Sequence, residues 1–306
     1  VIHASWHWIF LINIPIGALG ILASGSVMSN IKGEAEKLDW TGFLLFALGL
    51  VGITLGLDLL GESQNSAITT YSVLVVGVLL LVAYSSYAKN NEDAILPLSL
   101  FRTRTFRLGI IANIFIRLSA SGVPFLLPLM FQLSFGYSAE MSGWLLAPIA
   151  LISVILKILI GRILNHWGYK TTLISSALLM AGSVISMAWL DQQSSLTWII
   201  CNLMWYGACM SIIFTSINTL TVGDLSKQQA GTGSTVLSIV QQVGIGFGIA
   251  ISSIILNLYR HFLSANDGLQ QAFSYTFLTS SLFAIALVWS LMKLHKNDGD
   301  HLRKNS

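Results

Sequence analysis

Apolar runs of roughly 20 residues, the length that a hydrocarbon layer of ~30 Å demands of a helix, recur along the whole sequence. They occupy residues 8–28, 41–60, 71–87, 108–133, 143–163, 171–190, 197–219, 236–258 and 273–294, and so predict nine membrane-spanning α-helices. Short polar punctuations separate them, such as Gly61-Glu62-Ser63-Gln64-Asn65 and Asp191-Gln192-Gln193-Ser194-Ser195. None is long enough to fold by itself. The expected fold class is therefore all-α, a polytopic membrane helix bundle.

Composition agrees. Of the 306 residues, 54% are hydrophobic and only 9% charged, whereas soluble domains carry about a quarter charged. The net charge of +3 could suggest nucleic acid or an acidic partner, but its distribution follows the membrane. With alternate loops assigned to alternate sides, Lys32, Lys37, Lys89, Arg102, Arg104, Arg107, Arg162, Lys170, Lys227, Lys293, Lys296, Arg303 and Lys304 fall together. Arg260 alone falls on the other side, and Arg117 and Lys157 lie inside spans. Such an excess marks the cytoplasmic face, which puts the C-terminus in the cytoplasm and residue 1 outside. A nucleic-acid patch would not alternate this way, so the expected partner is the lipid bilayer and not nucleic acid.

Cys201 and Cys209 share one span about 12 Å apart along a helix, too far for a disulfide, and read as buried small apolar residues. The chain opens on Val1 without the basic n-region or cleavage site of a signal peptide. An odd number of spans, an external N-terminus and the missing initiator methionine together predict a piece of a longer protein. The longest interruption, residues 88–107, separates three spans from six. Six spans joined by short loops form a compact unit, which in many secondary transporters is two three-helix repeats with the substrate site at its interface with a second unit. The sequence shows no strong internal repeat.

The segment Ser5-Trp6-His7-Trp8-Ile9-Phe10-Leu11-Ile12-Asn13-Ile14-Pro15-Ile16-Gly17 resembles the sixth-span signature of the fourteen-span drug:proton antiporters, a branch of the major facilitator superfamily. Leu38-Asp39-Trp40-Thr41-Gly42 resembles the start of that family's seventh span, and Gln241-Gln242-Val243-Gly244-Ile245-Gly246-Phe247-Gly248-Ile249-Ala250 its thirteenth-span glycine motif. Order and spacing agree along the whole chain. The likeness implies a major facilitator fold whose first five spans are missing. Residues 1–30 would be the last span of the N-terminal six-helix half, 31–88 a central two-span insert, 89–107 a cytoplasmic linker, and 108–306 the C-terminal six-helix half with a short tail. It also implies a multi-pass protein of the bacterial cytoplasmic (inner) membrane.

Arg117 is the residue most suggestive of chemistry. Counted from Leu108 it lies ~14 Å into its span at 1.5 Å per residue, near the bilayer midplane. An unpaired guanidinium there costs at least ~2.5 kcal/mol, so it should face a wet cavity or a partner. Asn113 and Ser121, one turn before and after, would extend a polar stripe suited to a cavity wall. A structural Arg tying helices together is the bland alternative. Gln241 and Gln242 also fall mid-span; the resembling family often carries Arg where Gln241 stands, and this departure removes a fixed positive charge. Both amides fit substrate contact and helix-to-helix hydrogen bonding equally. Lys157 lies close to Arg162 and can snorkel to the headgroups, and Asp58 and Glu140 read as end caps or interfacial groups.

Gly244, Gly246 and Gly248 sit inside an apolar helix with no preceding strand, so they are not a phosphate loop. Small residues four apart, Gly244 with Gly248, Gly246 with Ala250 and Gly52 with Gly56, let helices approach closely. Pro15 should kink its helix, and Trp6 and Trp8 read as interfacial anchors. The loop Gly161-Arg162-Ile163-Leu164-Asn165-His166-Trp167-Gly168-Tyr169-Lys170 resembles a degenerate copy of the superfamily's cytoplasmic gate motif. Asn165 stands where that motif has its acid, which weakens the usual capping ion pair. His166 has no second His at metal-ligand spacing.

No nucleophile with a base and no His-Glu-x-x-His is present, so an intramembrane enzyme is not expected. No Asp or Glu lies deep in the six-helix half, although proton coupling needs a titratable membrane carboxylate; the resemblance implies that the coupling acid belongs to the family's first span. The expected function is a proton-coupled multidrug exporter, with a small-molecule substrate, protons and the missing N-terminal half as partners. It needs no cofactor, the proton gradient being its energy source, and this chain should not transport alone. Export of an anionic metabolite or metal chelate is the alternative, because the one deep charge is positive; a nonfunctional remnant or assembly subunit of a split transporter is the alternative of another class.

Overall fold

The computed structural model describes residues 11, 13–27, 39–61, 66–89, 91, 98–263 and 268–303. Their helices are α1 (Asn13–Val27), α2 (Trp40–Gly61), α3 (Ala67–Lys89), α4 (Arg104–Ala120), α5 (Val123–Leu133), α6 (Ala139–Trp144), α7 (Ala147–Met187), α8 (Leu196–Gly223), α9 (Lys227–Phe262) and α10 (Gly268–Met292), with 3-10 turns at Leu98–Arg102 and Asp300–Leu302. No strand occurs among the described residues. The chain divides after Leu38 into two units. The first holds α1, with Pro15 near the start of its described residues. Trp6, Trp8, Lys32, Lys37 and the side chain of Asp58 lie outside the described residues.

Among the described residues, seven helical stretches are long and apolar enough to cross a membrane: Trp40–Leu57, Ala67–Lys89, Arg104–Leu133, Ala139–Met187, Leu196–Gly223, Lys227–Phe262 and Gly268–Met292. The described part of the first expected span, Asn13–Ser24, is a shorter apolar helix. The other difference from nine lies in α7, where the expected spans 143–163 and 171–190 join without a loop. Its 41 residues would extend about 60 Å if straight, twice a hydrocarbon layer. They are not straight: Gly168 adopts φ 76° and ψ 166°, a region essentially reserved for glycine. On either side of it the two arms meet α8 at similar levels. Ser153 donates to the Gly207 carbonyl at 3.1 Å, while Ser186 takes a hydrogen bond from Asn202 and Gly182 lies against Trp205. Residues roughly equidistant before and after Gly168 thus reach neighbouring turns of α8. The stretch is a hairpin of two spans turned on one glycine.

α4 is the hub of the bundle, packed against α8, α9 and α10. Lipid tails are as apolar as the helices, so association relies on close packing, and α4 gets it from small residues. A Cβ at Gly244 of α9 would sit 2.8 Å from the Arg117 Cβ, and one at Gly248 would run into the Arg117 carbonyl oxygen. At Gly109 of α4 a Cβ would meet Thr221 of α8. The same device joins α2 to α3, where a Cβ at Gly52 would lie 2.9 Å from the Gly77 Cα. Asp39 fixes that pair's end, accepting from the Gly42 N–H at 2.9 Å and the Tyr87 hydroxyl at 2.8 Å. α9 also packs against α2.

Large apolar side chains fill the centre, among them Ile116, Leu127, Phe131, Leu203, Phe273 and Phe277. Others face outward, including Leu151, Ile158, Leu178, Leu282, Ile285 and Trp289. That inversion of the soluble pattern suits lipid as solvent. Cys209 is buried as expected, but Cys201 is exposed: a thiol on a lipid-facing helix surface needs no burial to remain in apolar surroundings.

The glycine contacts carry a prediction. Gly248→Val should force α4 and α9 apart and destabilise the bundle by about 1–3 kcal/mol, the cost of overpacking. Gly161→Ala, with nothing within 4 Å of its added Cβ, should not lower the unfolding temperature and should raise it slightly, Ala being the better helix former. Thermal unfolding in detergent measures both.

Candidate functional site

The site grows from a break in one span. The expected run 108–133 is two helices, α4 and α5, interrupted at Ser121 and Gly122. Pro124 lies in the first turn of α5 and has no N–H for the carbonyl four residues back, which is that of Ala120. Tyr206 of α8 supplies the missing donor, its hydroxyl 2.7 Å from the Ala120 oxygen. Its side chain is only 1% exposed. The break is thus held open by a hydrogen bond from another helix.

Arg117 stands in the last turn of α4, where the helix dipole favours a cation, and close to the midpoint of the 30-residue stretch Arg104–Leu133. Its Cζ lies 4.0 Å from the ring centroid of Phe214 on α8, a cation–π contact worth ~0.5–2 kcal/mol. Its Nε is buried without a hydrogen-bond partner. The ion pairs among the described residues all lie elsewhere. The guanidinium is therefore stacked but has no described counter-charge, and Gly244 leaves room for its stem.

One turn toward the basic end of the bundle lies a layer of amides. Gln241 Nε2 donates to Asn218 Oδ1 at 2.8 Å, bridging α9 and α8; Asn218 follows Phe214 by one turn, and Gln241 precedes Gly244 by nearly one. Asn113 is fully buried. Its amide donates to the Gly109 carbonyl at 3.0 Å, and its Oδ1 has no partner. The contact of Gly109 with Thr221 puts Asn113 near the level of Asn218. Ser121 sits instead in the α4–α9 seam, its Cβ 3.0 Å from where a Gly248 Cβ would be. Gln242 points outward, in an exposed polar stripe of α9 with Gly231, Ser234, Thr235 and Ser238. The structure brings Arg117, Asn113 and Gln241 to adjacent levels, and places Ser121 and Gln242 apart from them.

The basic end is closed by the tail. Lys170 donates to the carbonyls of Met292 at 3.0 Å and Leu294 at 2.6 Å, capping α10. Arg303 reaches the carbonyl of Asn165, so the position without an acid is engaged through its backbone. Arg104 pairs with Asp298 at 2.9 Å, and Asp224 takes Thr105 at 2.6 Å and His301 at 3.2 Å. Leu302 packs at Gly223, and Gly299 lies against Tyr169. Of the gate-motif remnant, Gly168 makes the turn and Lys170 the cap, while Gly161 is open.

Lys157 and His166 are exposed, and Glu140 lies in the first turn of α6, whose cap is Ser138. Among the described residues no three His, Cys, Asp or Glu side chains could hold a metal. A hollow of about 570 Å³ beside Trp144, Pro148, Leu151 and Val154 lacks the convergent polar groups that orient a ligand. Sequence reasoning did not single out Tyr206, Phe214 or Asn218 for chemistry. Only Tyr206 had a signal, the carbonyl that Pro124 leaves free.

The family described as the Major Facilitator Superfamily matches residues 1–249. The chain is 92% identical over 304 residues to the "Probable transport protein HsrA" of Haemophilus influenzae, covering 99% of this chain and 66% of that protein. It is 35% identical over 290 residues to the "Putative multidrug resistance protein MdtD" of Escherichia coli, covering 93% and 61%. The chain thus spans less than two thirds of the length of these curated relatives. Among solved structures, the nucleoside transporter NupG shares the fold, with a TM-score of 0.53 at 13% identity over 83% of this chain and 65% of that one.

Tyr206→Phe should leave the Ala120 carbonyl unpaired in the bundle interior, a loss of about 1–3 kcal/mol. It is read as a lower unfolding temperature in detergent. An unchanged temperature would mean that the break does not depend on the hydroxyl.

Proposed function

Because the chain belongs to the Major Facilitator Superfamily, we propose that it supplies the second, substrate-facing part of a secondary transporter that exports small amphipathic molecules in exchange for protons. The carrying observation is Arg117, partly exposed near mid-span without a described counter-charge, above a layer of amides. Bundles bury such groups only with partners or against a water-filled path. In this reading residues 108–306 form the C-terminal half, 31–88 a central pair and 1–30 the last span of an N-terminal half that also carries the coupling acid. The tail lies in the cytoplasm of a bacterial cell, and the protein works in the inner membrane.

The mechanism follows from what is rigid and what is not. The tail ties the basic ends of α4, α7, α8 and α10 into one piece, so the half can rock as a body against its counterpart. The substrate lodges near the midplane between the two, and protonation of the coupling acid returns the empty carrier. The multidrug name of a relative at 35% identity supports an amphipathic cargo.

Everted vesicles carrying the full-length protein test this reading. The expected result is uptake of an amphipathic dye that follows the imposed proton gradient and collapses with a protonophore, with none from this chain expressed from Val1. Dye movement indifferent to the protonophore, or transport by this chain alone, would overturn it.

A further inference from the structure

We infer that Arg117 anchors a carboxylate site, and that the transported molecule carries one carboxylate on a flat apolar body. The inference rests on the reading of the α4, α8 and α9 face as the transport site and names the charge of what it takes. Charge comes first. The acids with described side chains, Asp39, Glu140, Asp191, Asp224, Asp298 and Asp300, all stand at or beyond helix ends, so none reaches a guanidinium near mid-span. A bound anion would supply the missing charge where the surroundings screen it least.

Geometry makes the choice narrower. Phe214 occupies one face of the guanidinium at 4.0 Å, whereas its N–H groups donate in the plane, in the fork that matches a carboxylate with two parallel bonds. Nε is buried without a partner, so on the partly exposed head the two terminal nitrogens are the fork that meets the ligand. Gly244 packs against the Arg117 stem, where a Cβ would come within 2.9 Å of its Cγ, so the stem is fixed and the head is left to bond. The flat body follows from the same ring, since an aromatic or planar apolar group can lie beside Phe214. The part-buried Gln241–Asn218 pair, one turn away, can serve neutral polar substituents. A permanent cation is disfavoured. At about 6 Å and an effective dielectric of ~20 the repulsion amounts to roughly a hundredfold in affinity.

The test compares 2-naphthoate with 2-naphthamide, of the same shape without the charge, by thermal unfolding of the purified full-length protein. The expected result is stabilisation by naphthoate at concentrations at least tenfold below those of the amide. Arg117→Gln should abolish that preference, and Arg117→Lys should retain it at lower affinity, because the charge stays and the fork is lost. Equal shifts by acid and amide in the unaltered protein, no shift by either, or a preference that survives Arg117→Gln would overturn the inference. Where Arg117→Gln does not fold, Phe214→Leu decides: it leaves the charge but not the stacking, and should raise the naphthoate concentration needed several-fold, an unchanged value counting against the site. No gradient is involved. Binding without proton-driven export would sink the transporter reading alone, and export without acid preference would sink this one alone.

Discussion

Inside a hydrocarbon layer no water takes up an unmade hydrogen bond, so every polar group carried into it must find its partner within the protein. Most groups here do so within their own helix. Ser72, Thr219 and Thr276 donate to carbonyls one turn back. Where the backbone itself is broken, as at Pro124, the repair comes from a neighbouring helix through Tyr206. The side-chain amide of Gln241 meets another amide on the neighbouring helix. Arg117, near mid-span, has no counter-charge among the described residues, and its stacking on Phe214 only partly compensates.

The same constraint divides the surface. The outer arms of the α7 hairpin and of α10 show Leu, Ile and Trp, which lipid accepts without cost. α9 shows Ser234, Ser238 and Gln242 instead, which it does not. At the basic end the residues after α10 cross beneath several helices and are pinned by Asp298, His301 and Arg303. One end of the bundle is thereby tied, while its middle holds the Arg117 guanidinium without a described counter-charge. A carrier that moves as a body needs that combination.

Much of the fold was legible because run length is a direct consequence of membrane thickness. What escaped was decided by single residues or by contacts between helices. Gly168 removed a loop that two apolar runs had seemed to require. α9 begins at Lys227 rather than near Val236 because Ser226 and Gln229 cap it, an S-x-x-Q signature masked by the polar, glycine-containing residues that follow. Arg117 stood out from its charge alone. Phe214 did not, since an aromatic residue in an apolar span looks like packing until the cation above it is seen. Ser121 packs into the α4–α9 seam and Gln242 is exposed on the polar stripe of α9: helical periodicity gives a face, and only packing says what that face meets.

A carrier half built this way has water along the exposed polar face of α9 and lipid along its exposed apolar faces. Thiols react as thiolates, which form in water and not in hydrocarbon, so substituted-cysteine labelling measures the difference. In the full-length protein with Cys201 and Cys209 replaced by Ser, cysteines at Ser238 and Gln242 should react with a charged maleimide in membranes opened to both sides. Cysteines at Leu151 and Ile158, equally outward-facing, should not. Equal labelling at all four positions, or none at Ser238 and Gln242, would mean that the polar face of α9 does not meet water.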